Sequence, residues 1–204
     1  MITNKKILIV GAGGFIGGHL VKKLLNDGNS IVASDIKPKE YWFQDLEEVE
    51  NHYAMDMKDI SNCRKVTKGV DYVFNMACNM GGMGFIENNK AECMQSVLIN
   101  TNLLISCKEA GIKRYFFSSS ACAYNKTKQQ EVFIEGLKET DAYPADPEDG
   151  YGWEKLFSER MCGHFMEDYG IQVRVARYHN IYGPFGTYDG GREKAPAALC
   201  RKII

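Results

Sequence analysis

The chain has 204 residues, 45% of them hydrophobic and 25% charged, which excludes a low-hydrophobicity disordered chain, a collagen repeat and a coiled coil and leaves room for one sizeable core. With 25 basic and 26 acidic residues the net charge is −1, so no general field draws the chain to nucleic acid or an anionic membrane, and ligands must be recognised at local sites. No apolar run reaches the ~20 residues that span a bilayer, and the charged start, residues 1–6, leads into a glycine turn instead of the apolar stretch of a secretory signal.

Lys6–Val10 is a short β-branched run of the kind expected for a strand covered on both faces. After the glycines, residues 19–27 read as a helix closed near Gly28, and residues 30–34 as a second strand. Residues 70–76 read as a strand, residues 91–110 as a long helix closed by Gly111, and residues 114–118 as a strand. Residues 125–149 are polar, include Pro144 and Pro147, and read as a loop. Residues 151–169 predict a helix stopped at Gly170, followed by a strand over residues 172–176. A glycine-rich stretch after Gly183-Pro184 reads as a further loop, and a helix is expected from Lys194 onward, running to Ile204. Strands and helices in alternation predict an α/β fold, a doubly wound parallel sheet of the Rossmann type. The seven cysteines, at positions 63, 78, 93, 107, 122, 162 and 200, are odd in number and lack a CxxC pair. They read as reduced thiols, mostly small buried hydrophobes, in a cytoplasmic chain.

The spacing Gly11-x-x-Gly14-x-x-Gly17 falls between a predicted strand and a predicted helix, where a tight turn lets backbone N–H groups approach a pyrophosphate. A purely structural glycine turn is the alternative. Asp35 closes the second strand, where a carboxylate accepts from adenosine ribose hydroxyls and repels the 2′-phosphate of NADP; this favours NAD, and Lys37 would soften the preference. Read alone, Asp35 is also compatible with a solvated strand-end carboxylate. Tyr151-x-x-x-Lys155 sets both side chains on one helix face. The ammonium then favours the phenolate, lowering the tyrosine pKa toward neutrality for acid/base work, unless the pair is ordinary surface packing. Ser118-Ser119-Ser120 ends a predicted strand, and carboxyl ends of parallel strands are where ligands bind. His179 reads as a packed strand-end residue, and no His/Cys/Asp cluster suggests a metal.

Taken together, the glycine turn, the strand-end serine and the Y-x-x-x-K pair resemble the extended short-chain dehydrogenase/reductase family. That resemblance implies that Ser120 orients the substrate oxygen, that Tyr151 is the acid/base of hydride transfer, and that Lys155 holds the nicotinamide ribose. It also implies that Phe15 and Ile16 in the turn, Asp56-Met57 beside the adenine, and Ala77 of Asn75-Met76-Ala77 contact NAD, and that Asn180 touches a sugar nucleotide. Three stretches are more specific: Met80-Gly81-Gly82-Met83-Gly84-Phe85, Ser119-Ser120-Ala121-Cys122, and Gly186-Thr187 through Gly190-Gly191-Arg192-Glu193-Lys194-Ala195-Pro196. They are similar to a branch of the family whose members epimerise a GDP-hexose at C3 and C5. By this likeness Cys122 and Lys194 form the epimerising acid/base pair, residues 81–84 are a substrate loop in which Gly81 and Met83 meet the hexose, and Glu193 and Ala195 complete the substrate segment.

The same resemblance implies a homodimer through helices 91–110 and 151–169, with residues 1–180 as the NAD-binding domain and residues 181–204 as the beginning of a C-terminal substrate lobe, which runs on in the longer family members. A 4-epimerase stays open as an alternative. So does a 4,6-dehydratase, weakened because Ala121-Cys122 stands where that class has an acid pair, and so does a non-catalytic NAD-binding module.

Overall fold

The computed structural model describes residues 1–47, 49, 51–130 and 135–203. Residues 131–134 of the expected loop and Ile204 of the expected last helix lie outside them. Lys6–Val10 is strand β1, with four of its five residues buried; each fully buried Ile, Leu or Val contributes about 1.5–3 kcal/mol. Helix α1, Phe15–Asn26, starts four residues earlier than expected, because Gly17 and Gly18 lie inside it and glycine reads as a poor helix former. Strand β2, Ser30–Asp35, takes in Asp35. Strand β3, Asn51–Ala54, at the sheet edge and largely exposed, and helix α2, Ile60–Val66, capped by the Asp59 side chain, which accepts from the Ser61 N–H, had no counterpart in the sequence reading.

Strand β4 is Tyr72–Asn75. Helix α3, Met83–Asn88, begins at the Gly82 cap, which corrects the expectation of a loop over residues 81–84: only Gly81 and Gly82 precede the helix. The expected helix 91–110 is two, α4 (Lys90–Met94) and α5 (Ser96–Glu109), separated by Gln95. Strand β5, Arg114–Ser120, helix α6, Asp149–Tyr169, ended by Gly170 at φ 69°, strand β6, Gln172–Tyr178, and helix α7, Ala195–Ile203, complete the chain. No helix among the described residues is long and apolar enough to cross a membrane.

All pairings are parallel and the order is β3-β2-β1-β4-β5-β6, the doubly wound order that opens a crevice at the carboxyl ends of β1 and β4, where the strand order reverses. Side chains alternate across the sheet. Ile7 and Ile9 pack with Val21 and Leu24 of α1, while Leu8 and Val10 pack with Leu103, Leu104, Phe117 and Cys162 on the face covered by α5 and α6. On the α1 side of β4–β6, the half-buried rings of Phe74, Phe116 and Tyr178 form a row, with successive centroids 5.4 and 6.4 Å apart. Four of the seven cysteines, 63, 93, 107 and 162, are buried; Cys78 and Cys122 are half-buried and Cys200 is exposed.

Candidate active site

A cavity of about 1670 Å³ runs along the carboxyl ends of the strands, from Gly11 and Asp35 past Ala77 and Ser120 to Lys194. Every site residue expected from the sequence lines it except Lys155, which lies beneath its wall.

At the β1 end, Gly11 has φ +83°, and a Cβ on Gly17 would lie 2.0 Å from the Gly11 carbonyl oxygen. The turn therefore closes onto the first turn of α1 in a way only glycine permits, leaving the helix N-terminus facing the cavity. Asp35 is buried, with Oδ2 accepting from the Gly13 N–H at 2.9 Å and Oδ1 from the Lys37 N–H at 3.0 Å. Lys37 Nζ donates to the Gly13 carbonyl and sits 3.9 Å from the Phe43 ring centroid. Asp35 is thus built into the turn, each oxygen keeping a lone pair for a ribose hydroxyl. The Met57 side chain belongs to the core beside Cys63, so only its backbone could meet an adenine.

At the β5 end, Ser120 Oγ accepts from the Cys122 N–H at 3.2 Å and starts a 3₁₀ turn over Ala121–Ala123. The Cys122 carbonyl in turn accepts from the Glu148 N–H at 2.9 Å, and a Cβ on Gly152 would lie 2.3 Å from that same oxygen. The first turn of α6 is thereby seated on the Cys122 turn, which brings Tyr151 into one cluster with Cys78, Cys93 and Cys122. The sequence reading missed Gly152 and Glu148, because their role comes from close approach between segments far apart in the chain.

Tyr151 is 6% exposed and Lys155 1%, and Lys155 Nζ lies 5.4 Å from the Tyr151 ring centroid. The expected lowering of the tyrosine pKa is overturned in sum. Burial dominates and, with Cys78 beside the ring, raises the phenol above its ordinary value, while Lys155 pulls it down by less. Lys155 loses charge stability through burial, but Cys78, Glu154 and Tyr151 around it more than restore it and leave its pKa raised.

The glycine-rich stretch after Gly183 folds over the cavity. Arg192 Nη1 donates to Asn79 Oδ1 and to the Met80 carbonyl, both at 3.2 Å, and its guanidinium lies 3.8 Å from the Phe85 ring centroid. Lys194 Nζ donates to the Gly81 carbonyl at 3.3 Å, and a Cβ on Gly82 would meet the Glu193 carbonyl oxygen at 2.6 Å. Two of the three specific stretches, around residues 80–85 and 190–196, thus pack on each other, with Arg192 as a clamp the sequence reading did not single out. Glu193 accepts from the Gly191 N–H and pairs with Arg201. Asn180 and Ala195 are exposed at the cavity wall, and Met83 is half open at the start of α3. His179 is exposed rather than packed, its ring 6.4 Å from that of Tyr124.

Residues 7–204 match the NAD dependent epimerase/dehydratase family. The chain belongs to that family. Among curated members of the NAD dependent epimerase/dehydratase family and its neighbours, the chain is 50% identical over 200 residues to GDP-mannose 3,5-epimerase of Arabidopsis thaliana, covering 98% of this chain and 53% of that protein. It is 52% identical over 198 residues to GDP-mannose 3,5-epimerase 1 of Oryza sativa subsp. japonica, covering 97% and 52%. The chain therefore spans about half the length of these curated relatives. Its fold superposes with a TM-score of 0.84 on UDP-N-acetylglucosamine 4-epimerase from Methanobrevibacter ruminantium, at 25% identity over 99% of this chain and 63% of that one. With UDP-glucose 4-epimerase from Thermus thermophilus, solved with NAD, the TM-score is 0.77 at 21% identity, over 96% and 60%. A dinucleotide suits the epimerase-family cavity on this chain's own geometry: a glycine cradle that a Cβ would fill, a helix N-terminus facing it, and a buried Lys155 Nζ that makes no hydrogen bond among the described residues.

Proposed function

We propose that the protein is an NAD-dependent GDP-mannose 3,5-epimerase, converting GDP-mannose to GDP-L-galactose. The observation that carries this reading is that Cys122, Lys194 and Tyr151 line one cavity, in a chain half identical to enzymes of that name. NAD would supply reversible hydride acceptance at the sugar C4. Gly11, Gly14, Phe15, Ile16 and Gly17 would hold its pyrophosphate, Asp35 its adenosine ribose and Lys155 its nicotinamide ribose, with Asp56, Met57 and Ala77 beside it.

Tyr151 accepts the C4 hydroxyl proton, with Ser120 orienting that oxygen. The resulting C4 ketone acidifies the C–H bonds at C3 and C5, so that of Cys122 and Lys194 one takes a proton from carbon and the other returns one from the opposite face. Gly81, Met83, Asn180, Glu193 and Ala195 hold the GDP-hexose. In this reading residues 1–180 are the cofactor domain and residues 181–204 begin a substrate lobe. The free thiols are in keeping with a reducing cytoplasm. The half-exposed Leu98 of α5, and Trp153 and Phe157 of α6, support a homodimer through these helices.

The test is proton exchange. Incubating a form extended to the length of its relatives with GDP-mannose in deuterated water places deuterium at C3 and C5. Cys122→Ala removes that exchange, by at least ~10²-fold, while NAD binding persists. Absence of label at both carbons in NAD-loaded enzyme would sink the proposal.

A further inference from the structure

Glu154 precedes Lys155 on α6 and is 2% exposed. Buried carboxylates are rare without a partner. Here Oε1 accepts from Ser158 Oγ at 3.0 Å, and Oε2 lies 3.1 Å from Lys155 Nζ. That contact is an ion pair by distance but is not aligned as a hydrogen bond, so the Oε2 and Nζ atoms both keep hydrogen-bonding capacity among the described residues. The lysine head is walled by the rings of Phe117 and Tyr151, with centroids 4.9 and 5.4 Å away.

The titratable groups facing this pair come from each element packed on it. Tyr151 and Cys162 lie on α6 itself, Cys78 follows β4, Cys93 on α4 faces Glu154, and Cys122 after β5 faces Tyr151. These are thiols and a phenol, and Glu154 is the carboxylate among the groups that act on Lys155. A lysine so desolvated sheds its proton unless a fixed negative charge holds it.

We propose that Glu154 is a positioning residue: its buried carboxylate fixes the Lys155 side chain and keeps it an ammonium, aimed to donate to the cofactor ribose. This inference rests on the NAD reading of the cavity. Glu154 acts through Lys155 and touches neither cofactor nor sugar. The contact engages one side of the ammonium only, and with three N–H groups Lys155 keeps donors for the ribose.

The experiment is calorimetric NAD binding by the chain between about pH 6 and pH 10, for the wild type, Glu154→Gln and Glu154→Asp, with the Lys155 ε-ammonium titration followed in parallel by NMR of lysine-labelled protein without NAD. Glu154→Gln is expected to bind NAD within about threefold of wild type at the acid end and to lose about tenfold or more as pH rises, with its lysine titrating at least about one pH unit below the wild-type value. Glu154→Asp keeps the charge and shifts less, in the same direction, and it carries the test if the glutamine variant does not fold. An NAD profile that runs parallel to wild type, equal or uniformly weaker, with an unmoved lysine titration, overturns the proposal. A wild-type chain that binds no NAD sinks the cofactor reading instead, and the NMR titration still decides the role of Glu154.

Discussion

Tyr151 is where the sequence pattern and the folded protein pull apart. Spacing alone promises a phenol made acidic by Lys155, yet burial raises its pKa, and Lys155 offsets only part of that. In its proposed role as base, Tyr151 works in the deprotonated form, so its active fraction grows with pH. Single-turnover formation of reduced cofactor should climb from neutral into alkaline solution, and a plateau already reached at neutrality would contradict this. Tyr151→Phe should cut the same signal by about 10²–10⁴-fold while calorimetric NAD binding holds. At this scale the glycine turn and the Tyr151/Lys155 pair were legible because each carries its chemistry in local spacing. Glu154 and Cys78 were not, since adjacency in sequence says nothing about which side chain is buried against which.

Among the elements, the seating of α6 on the turn after β5 controls the site. Gly152 lets the helix rest on the Cys122 carbonyl, the Glu148 N–H donates to that oxygen, and Arg177 of β6 holds Glu159 of α6 from below at 2.7 Å, with Ser119 of β5 hydrogen-bonded to the same carboxylate. Gly152→Ala puts a methyl into that carbonyl. The helix must shift, costing about 1–3 kcal/mol and moving Tyr151 away from Cys122, so turnover should fall by about 10²-fold with a modest drop in melting temperature. Unchanged turnover at wild-type stability would show the contact to be dispensable. Five of the six strands and the long α6 were legible because they carry continuous apolar runs or clear stops. β3 was not, because an exposed edge strand such as Asn51–Ala54 has no hydrophobic pattern to read. The break at Gln95 and the start of α3 at Met83 depend on contacts with the rest of the site, which a one-dimensional pattern does not contain.

At the scale of the whole molecule, the proposed homodimer would bring a second copy onto the outer surfaces of α5 and α6. Leu98 is 46% exposed, Trp153 45% and Phe157 50%, more apolar area than a helix pair facing only water would carry. Replacing Leu98 and Trp153 together by glutamate should convert a dimer to a monomer in sedimentation equilibrium, and an unshifted mass would place any dimer contact elsewhere. The other side of the molecule poses the opposite problem. β6 pairs with β5 on one edge and has no second strand partner among the described residues, and beside it runs the half-covered row of Phe74, Phe116 and Tyr178. Arg174 lies on this edge strand, and Arg114, its guanidinium 5.1 Å from the Tyr72 ring centroid, lies one strand further in on β5. A charged side chain on an edge strand disfavours pairing with a second strand of the same charge. Arg174 puts a positive charge on that edge strand, and because salt screens such a charge beyond ~10 Å at 0.1 M, light scattering by the chain should rise with ionic strength if copies meet along this edge.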